Sequence, residues 1–566
     1  MPTIDVSYIE FETLLGIKLD ADLNKLDDIL SLVKSEVKLF NRQDDVLTIE
    51  IKDTNRPDLW SVEGVTRGLR SYLKIESGPR DYFVDDPIVD VNVDFGLEKI
   101  RPYICCSIIK DLKLDDTKIK GFMHLQEKLD QTYGRSRQKT SIGLYDFDLI
   151  TPPLNYVAVA PNDYSFIPLG FDNELTLSEI LEKHPKGIEY GHIVKKNANY
   201  PLLLDSKQKI LSFPPIINSN DLGKITDQTR NILVEVTGTM YQTTANTLNL
   251  VSLALLDQSG KAYAAIINYP DEHFYKKTID ETPNFNYRIV NLDINYTKKL
   301  LGLDLSPKKI ADLLLTAGMG IEKINNTSVD VRVPCYRVDV MHQVDLIEDV
   351  AISFGYNNIK PIWRDLPTTG SMRSEQDLID LVRELMVGLG FQETLNYTLT
   401  NSETLFKKMN CKQQKVIELL NPKIITMTCL RNWILPSLMN FLSQNQSLEF
   451  PQKIFELGTV TLLDNSTETL SRDEFKLATV TTHSNASFTE IKSVVTSLFM
   501  NLGIDWSIEN VSHSSFIRGR LGKIIVNKKE VGVLGEIHPK VLEEWKLENP
   551  AAAFEINLNN VLFFNS

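Results

Sequence analysis

The first 75 residues alternate two hydrophobic periods. "TIDVSYIEF" and "VLTIEIKD" place apolar side chains at nearly every second position, as a half-buried strand does. "LNKLDDILSLV" and "WSVEGVTRGLRSYL" repeat them every three to four, as a helix with one buried face does. The pattern predicts a small α+β unit. Between its last strand and last helix, "DTNRPDLW" holds Asn55 and Pro57, which disfavour helix, and Asp58, placed to cap the helix that follows.

The Gly and Pro of "ESGPRDYF" mark a linker at 76–83, and beyond it "IVDVNVDF" and "YICCSIIKDLKL" alternate as half-buried strands. A second domain is expected there: an amphipathic helix in "IKGFMHLQEKLDQTYG", the polar loop "RSRQKTSIGLYDFD", and short strands punctuated by Pro-Pro pairs at 152–153 and 214–215. This mixed α/β text with long loops suits a substrate pocket. It ends in "ILVEVTGTMYQTTANTLNLVSLALL", a strand, a Gly-containing turn and an almost wholly apolar helix that must be buried. Such a junction aims the helix's first N–H groups at whatever lies above it.

A third unit follows in "DINYTKKLLGLDLSPKKIADLLLTAGMGI". A short helix ends near Gly302, Ser306 is an N-cap with Pro307 in the first turn, Leu313, Leu314 and Ala317 face inward, and Gly318 stops the second helix. With the strand "VDVRVP" this predicts a winged-helix-like arrangement. Lys298, Lys299, Lys308 and Lys309 are balanced by acids, which favours packing or docking over groove reading. From 363 onward, "QDLIDLVRELMVGLG" reads as helix, "ETLNYTLT", "QKIFELGTVTLL" and "LGKIIVNKKEVGVLGEIHP" as strands, and "LLNPKIITMTCLRNWILPSLMNFLSQN" as a loop. The expectation is an antiparallel sheet flanked by helices.

Composition narrows the function classes. The chain has 566 residues, 42% hydrophobic and 24% charged, enough for several cores, and its net charge of −14 excludes a surface that is basic throughout. An RNA partner would be met by local patches or by a second, more basic subunit. Five cysteines without C-x-x-C spacing point to a reducing compartment, and no leader-like start or membrane-length apolar run is present, so a cytoplasmic protein is expected. H-E-x-x-H, the phosphate-binding loop and G-x-S-x-G are all missing.

One stretch is chemically crowded. "YRVDVMHQVDLIEDVAISFGY", 336–356, carries Asp339 ahead of a helix and Asp345, Glu348 and Asp349 on it at i, i+3 and i+4, with Leu346, Ile347, Val350 and Phe354 on the apolar side. Taken alone this is the pattern of a solvated, dipole-capped helix start. The carboxylates have no histidine ligands or adjacent nucleophile, which weakens a metal-dependent hydrolase reading, although oxygen ligands alone suit magnesium.

Read together, the chain resembles the phenylalanyl-tRNA synthetase beta subunits of archaeal and eukaryotic type. The resemblance rests on "IKDTNRPDLWSVEGVTRGLR", "ILSFPPIINSNDLGKIT", "VEVTGT", "YRVDVMHQVDLIEDVAISFGYNNI", "LLNPKIITMTCLRNWILPSLM", "IFELGTV", "FIRGRLGKIIV" and "LGEIHPKVLEEW", in that order. It implies an α+β multidomain fold: an N-terminal domain at 1–80, a B3/B4 editing domain at 81–283, a winged-helix-like B5 domain at 284–362 and a class II synthetase-like core at 363–566. That core lacks an intact Gly-rich motif ending in arginine; Arg518 and Arg520 in "IRGR" come near it without matching. The resemblance therefore implies a dimerisation and docking scaffold. ATP-dependent attachment of L-phenylalanine to tRNA(Phe) would occur on a separate alpha subunit, in an α2β2 heterotetramer.

It further implies an editing pocket of Leu203, Ser212, Glu235 and Thr237 that hydrolyses mischarged Tyr-tRNA(Phe), with Glu235 where the family also has Asp. Without the family, Ser212 and Thr237 read as hydroxyls satisfying backbone and Leu203 as core. The acidic stretch matches the family's magnesium motif, with Asp339, Asp345, Glu348 and Asp349 as ligands at a subunit contact and Asp349 replacing the commoner Glu. The rival reading is a free-standing tRNA-binding or assembly protein.

Overall fold

The computed structural model describes residues 2–270, 278–363 and 368–562, and falls into two compact units, 1–362 and 363–566. In the first unit an antiparallel sheet orders the strands Thr3–Ser7, Val46–Ile51 and Ser35–Asn41, backed by the helices Tyr8–Leu15 and Val62–Tyr72. The cap of the second helix differs from expectation. Ser61 Oγ accepts from Gly64 N at 3.2 Å, whereas Asp58 takes the Arg56 guanidinium at 2.7 and 2.8 Å. A 3-10 turn, Pro57–Leu59, intervenes and moves the cap position three residues along. Gly64 is required by this turn, since a Cβ there would lie 1.6 Å from the Asp58 carbonyl oxygen.

Phe11, Leu15, Leu47 and Leu69 join one continuous core with Leu129, Leu250 and Leu253, so the segment 76–83 connects elements that share their packing. Among the described residues the main sheet has ten strands. Their order is 217–218, 210–213, 200–204, 154–159, 84–93, 261–268, 103–110, 232–238 and 140–146, with 279–282 added beside 261–268. Tyr103–Lys110 is buried on both faces rather than half-buried: Cys105 and Ile109 enter the core beneath the helix Tyr241–Gln258, and Ile104, Cys106 and Ile108 enter the core opposite. The helix is buried as its sequence requires. Its inward hydroxyls are satisfied locally, Thr247 on the Thr243 carbonyl at 2.8 Å and Ser252 against Ser107 at 2.7 Å.

The end of this unit carries a three-stranded antiparallel sheet ordered Arg288–Asp293, Ser328–Val333, Gly320–Ile324, with the helices Ile294–Leu301, Pro307–Thr316 and Gln343–Phe354. Ser306 caps the middle helix through Lys309 N at 3.2 Å, and Gly302 and Gly318 take left-handed φ of 68° and 77° where the chain leaves each helix.

The second unit is a sheet of seven strands among the described residues, ordered 392–393, 452–463, 471–482, 551–557, 529–537, 516–526 and 506–510, antiparallel except for the first pair. Helices Ser374–Gly388 and Phe488–Asn501 pack on one face and Leu435–Gln444 on the other. "ETLNYTLT" does not form the expected strand; only fragments pair, because Asn396 turns in to Glu456 at 2.7 Å while Leu395 and Tyr397 stand exposed.

Candidate active site

A cavity of about 640 Å³ opens between the helix Asp116–Gln131, the strands Thr140–Asp146 and Ile232–Gly238, and the turn that follows the strand Ile210–Phe213. Phe122, Phe213, Pro214, Ile216 and Ile217 supply apolar wall, and Ser212 and Glu235 supply polar atoms. Glu235 is 2% exposed. Its Oε2 accepts from the Tyr145 hydroxyl at 2.9 Å, and its Oε1 has no hydrogen-bond partner within the protein. Ser212 Oγ, equally buried, has none either.

The strand register makes room for this carboxyl. Gly143 lies opposite Glu235, and a Cβ there would fall 2.2 Å from Tyr145 Oη and 2.6 Å from Glu235 Oε2. Burial raises the Glu235 carboxyl to about 7, against the pull of the Tyr145 hydrogen bond and the Arg101 charge. Burial, reinforced by the charge of Glu235, also pushes the Tyr145 hydroxyl well up, which keeps it a donor. The site thus holds a carboxyl that titrates near neutrality, with one free oxygen.

The four expected pocket residues do not all reach the cavity. Ser212 and Glu235 line it. Thr237, on the same strand face as Glu235, does not line the cavity; its Oγ1 accepts from Arg101 Nε at 3.0 Å and lies 3.1 Å from Ser141 Oγ. Leu203 pairs across the sheet with Ser212 and packs into the core with Tyr145, Tyr156 and Leu211. Arg101, Asp130, Arg137, Gly143 and Tyr145 carry the site's charge and shape, yet none forms a motif in sequence.

The acidic stretch is organised around an arginine. Arg337 Nη2 lies 2.8 Å from Asp339 and 2.8 Å from Asp349, its Nε donates to Asp339 at 2.9 Å, and Arg56 Nε is 3.7 Å from Asp339. Burial opposes the charge on Arg337, but Asp349 and Asp339 outweigh it and raise the guanidinium; Arg337 likewise outweighs burial to hold Asp339 low. Asp345 Oδ2 accepts from Met341 N at 2.7 Å and His342 N at 2.8 Å, closing the start of the helix Gln343–Phe354, and Glu348 takes Lys34 Nζ at 2.6 Å.

Asp339, Asp345, Glu348 and Asp349, the expected magnesium ligands, are each engaged by groups of the protein itself. The carboxylates face different partners, Asp349 turns inward while Glu348 stays exposed, and a guanidinium fills the space between Asp339 and Asp349. Among the described residues, no group of three or more His, Cys, Asp or Glu side chains is placed to hold a metal ion. As arranged, these donors do not fit a magnesium shell.

Comparison with known proteins agrees along the chain. A family profile described as the tRNA synthetase B5 domain matches residues 290–356, and one described as the phenylalanyl tRNA synthetase beta chain CLM domain matches 359–558. The phenylalanine–tRNA ligase beta subunit of Pyrococcus abyssi is 42% identical over 560 residues, covering 99% of each chain. That of Methanocaldococcus jannaschii is 37% identical over 561 residues, covering 99% of this chain and 100% of its own. A solved N-terminal fragment of the phenylalanyl-tRNA synthetase beta subunit from Pyrococcus horikoshii superposes with a TM-score of 0.59 at 38% identity, covering 63% of this chain and 100% of the fragment. The multidomain α+β fold and these matches define an aminoacyl-tRNA synthetase component. Within that class, the chain belongs to the phenylalanine–tRNA ligase beta-subunit family. Among the described residues, no helix is long and apolar enough to cross a membrane.

Proposed function

We propose that the cavity at Ser212 and Glu235 is an editing site that hydrolyses tyrosine wrongly esterified to tRNA(Phe). ATP-dependent attachment of L-phenylalanine takes place on a separate alpha subunit of a cytoplasmic α2β2 assembly. The supporting observation is the pair of buried, unpartnered polar atoms, Glu235 Oε1 and Ser212 Oγ, on the wall of a largely apolar cavity. Leaving such a group without a partner costs about 1–3 kcal/mol, so its retention is explained when a ligand supplies the missing hydrogen bond.

A phenol hydroxyl donates and accepts, and in this reading it is what Glu235 and Ser212 receive. Phenylalanine lacks it and would leave both groups unpaired. The chemical need is general: an apolar synthetic pocket rejects a near-isostere bearing one extra hydroxyl by only about 100-fold, and a second, hydrolytic sieve makes up the difference. Thr237 supports the site through Arg101, and Leu203 supports the strand beneath Ser212.

Two features of the second unit support the scaffold reading. Glu555 accepts from the N–H groups of Ile434 and Leu435, both at 2.9 Å, and pairs with Lys476 at 3.2 Å; Arg431 and Glu456 form a buried pair at 2.7 Å. The sheet face under the helix Leu435–Gln444 is thus filled by the chain's own charges and by Leu438, Met439 and Leu442. Arg520, in the "IRGR" segment, is engaged by Glu536 at 2.6 Å.

The test is deacylation of Tyr-tRNA(Phe) by the chain assembled with its alpha subunit. Wild type should clear the ester, and Glu235→Ala and Ser212→Ala should clear it at least tenfold more slowly, the order of one buried hydrogen bond lost. Variants as fast as wild type would remove the assignment.

A further inference from the structure

Beside Glu235 the cavity has a second buried carboxyl, Asp130, on the last turn of the helix Asp116–Gln131. Burial raises its carboxyl to about 7 against the pull of Arg137 and Arg101, and Arg137 Nε lies 3.0 Å from Asp130 Oδ2 without the alignment of a hydrogen bond. Arg137 stands in a turn where Arg135, Ser136 and Arg137 take left-handed φ of 50°, 50° and 63° in succession. Non-glycine residues adopt that region at a cost, so a run of three needs strong tertiary contacts to hold it.

Backbone bonds to the helix end hold part of the turn, Ser136 N to Gln131 O at 3.2 Å and Arg137 N to Asp130 O at 3.0 Å, and the Arg137 side chain reaches on to the cavity. Arg137 Nη1 donates to the carbonyls of Pro215 at 3.1 Å and Ile216 at 2.9 Å, in the turn that carries Ser212 into the apolar wall. The guanidinium lies 4.5 Å over the Tyr190 ring, a further cavity residue. The carbonyl of Arg137 accepts from Arg101 Nη1 at 3.1 Å, and Arg101 in turn holds Thr237 Oγ1, Thr237 O and Ser141 Oγ. Four separate pieces of chain around the cavity therefore take their mutual position from one side chain and its own carbonyl.

We infer that Arg137, seated on Asp130, is a positioning residue: it fixes the Phe213–Ile217 wall relative to Ser212 and Glu235 and thereby sets the choice between tyrosyl and phenylalanyl esters. The inference rests on the editing reading above. Both carbonyl bonds come from Nη1, while Nε faces Asp130 and the guanidinium plane lies over the Tyr190 ring, so the planar group is held at three sides at once and fixes the distance and tilt of the wall, which a single ammonium on a flexible stem does not. The Asp130 contact is charge without directional bonding, so it steers the fork toward the wall and neutralises it there. The charged groups around the pair are Arg101 and Glu235 on the sheet side and the Glu189–Lys186 pair beside Tyr190. A wall displaced by about 1 Å misplaces the reacting ester, an error that costs up to about 100-fold in rate.

The experiment uses the full chain assembled with its alpha subunit and measures clearance of Tyr-tRNA(Phe) and Phe-tRNA(Phe) by wild type, Arg137→Lys, Arg137→Met and Asp130→Asn. Arg137→Lys keeps the charge and loses the fork; Asp130→Asn keeps the shape and loses the charge. The expected result is that the ratio of tyrosyl to phenylalanyl clearance falls at least tenfold in both Arg137 variants and less steeply in Asp130→Asn. Phenylalanylation by the complex stays unchanged. A merely structural role lowers both clearance rates together, by the fraction of protein unfolded, and leaves the ratio as it was. An unchanged ratio in Arg137→Lys and Asp130→Asn overturns the inference even if Arg137→Met does not fold. Wild type that clears neither ester overturns the editing reading itself, and this inference with it.

Discussion

Arg337 Nη2 lies 2.8 Å from Asp349 Oδ2, and both side chains are 5% exposed. Arginine precedes the helix and aspartate sits in its second turn, so the pair ties the strand Ser328–Val333 and its following turn to the helix Gln343–Phe354. Burial still raises the Asp349 carboxyl against the pull of Arg337, whereas the carboxylates hold the guanidinium charged, so the pair is kept at that depth by the arginine's need for its partners.

Removing the arginine alone should therefore be costly. Arg337→Met leaves Asp339 and Asp349 buried opposite a methyl group, and we expect a loss of about 3–5 kcal/mol by urea unfolding. Chelator should leave the melting temperature of the isolated wild-type chain where it was. A fall in chelator that magnesium restores would return the acidic stretch to a metal site.

The near-neutral carboxyl of Glu235 makes stability depend on pH in a stated direction. Its folded value is raised by burial from 4.5 to about 7, so between these values the folded state binds more protons than the unfolded one. The group's contribution is therefore favourable at low pH and is lost as pH rises from about 4.5 through 7, by on the order of 3 kcal/mol. Glu235→Gln removes the proton exchange, and its stability should fall less than that of wild type between pH 5 and pH 8. Parallel curves for the two proteins would show that Glu235 titrates normally.

Gly143 should tolerate no side chain. A Cβ 2.6 Å from Glu235 Oε2 and 2.2 Å from Tyr145 Oη forces the carboxyl out of its place. Gly143→Ala should cost about 1–3 kcal/mol in stability and abolish clearance of Tyr-tRNA(Phe), with phenylalanylation by the complex intact. Clearance at the wild-type rate would mean that Glu235 is free to move and still function.

What was legible in the sequence was local. Ser306 with Pro307, Gly302 and Gly318 follow helix-end chemistry that operates within a few residues, and the strand Gln452–Leu463 has the predicted bounds. Asp58 was misread because it lies inside the 3-10 turn Pro57–Leu59, three residues ahead of the cap Ser61, and a carboxylate beside Arg56 had a nearer partner. The site depends on distance along the chain: Arg101 meets Thr237 136 positions away, and Lys34 meets Glu348 314 positions away. No local period encodes such pairs. The acidic spacing was correct as a pattern and incomplete as chemistry, since the cation that answers it, Arg337, stood inside the same stretch.

Ser212 and Thr237 were expected as equivalent hydroxyls of one pocket, and the structure separates them into testable opposites. Thr237 Oγ1 is the acceptor for Nε of Arg101, a guanidinium that is 1% exposed. Thr237→Val removes that acceptor, leaves a buried donor unpaired and should cost about 1–3 kcal/mol. Ser212 Oγ has no aligned hydrogen-bond partner within the protein, and its polar neighbour, the Tyr145 hydroxyl, is held by Glu235, so Ser212→Ala should leave stability nearly unchanged. Clearance of Tyr-tRNA(Phe) should fall in both, in Ser212→Ala at full stability and in Thr237→Val together with a lowered melting temperature. If Ser212→Ala is destabilised and Thr237→Val is not, the hydroxyl that meets the ligand is Thr237, two residues along the same strand face from Glu235.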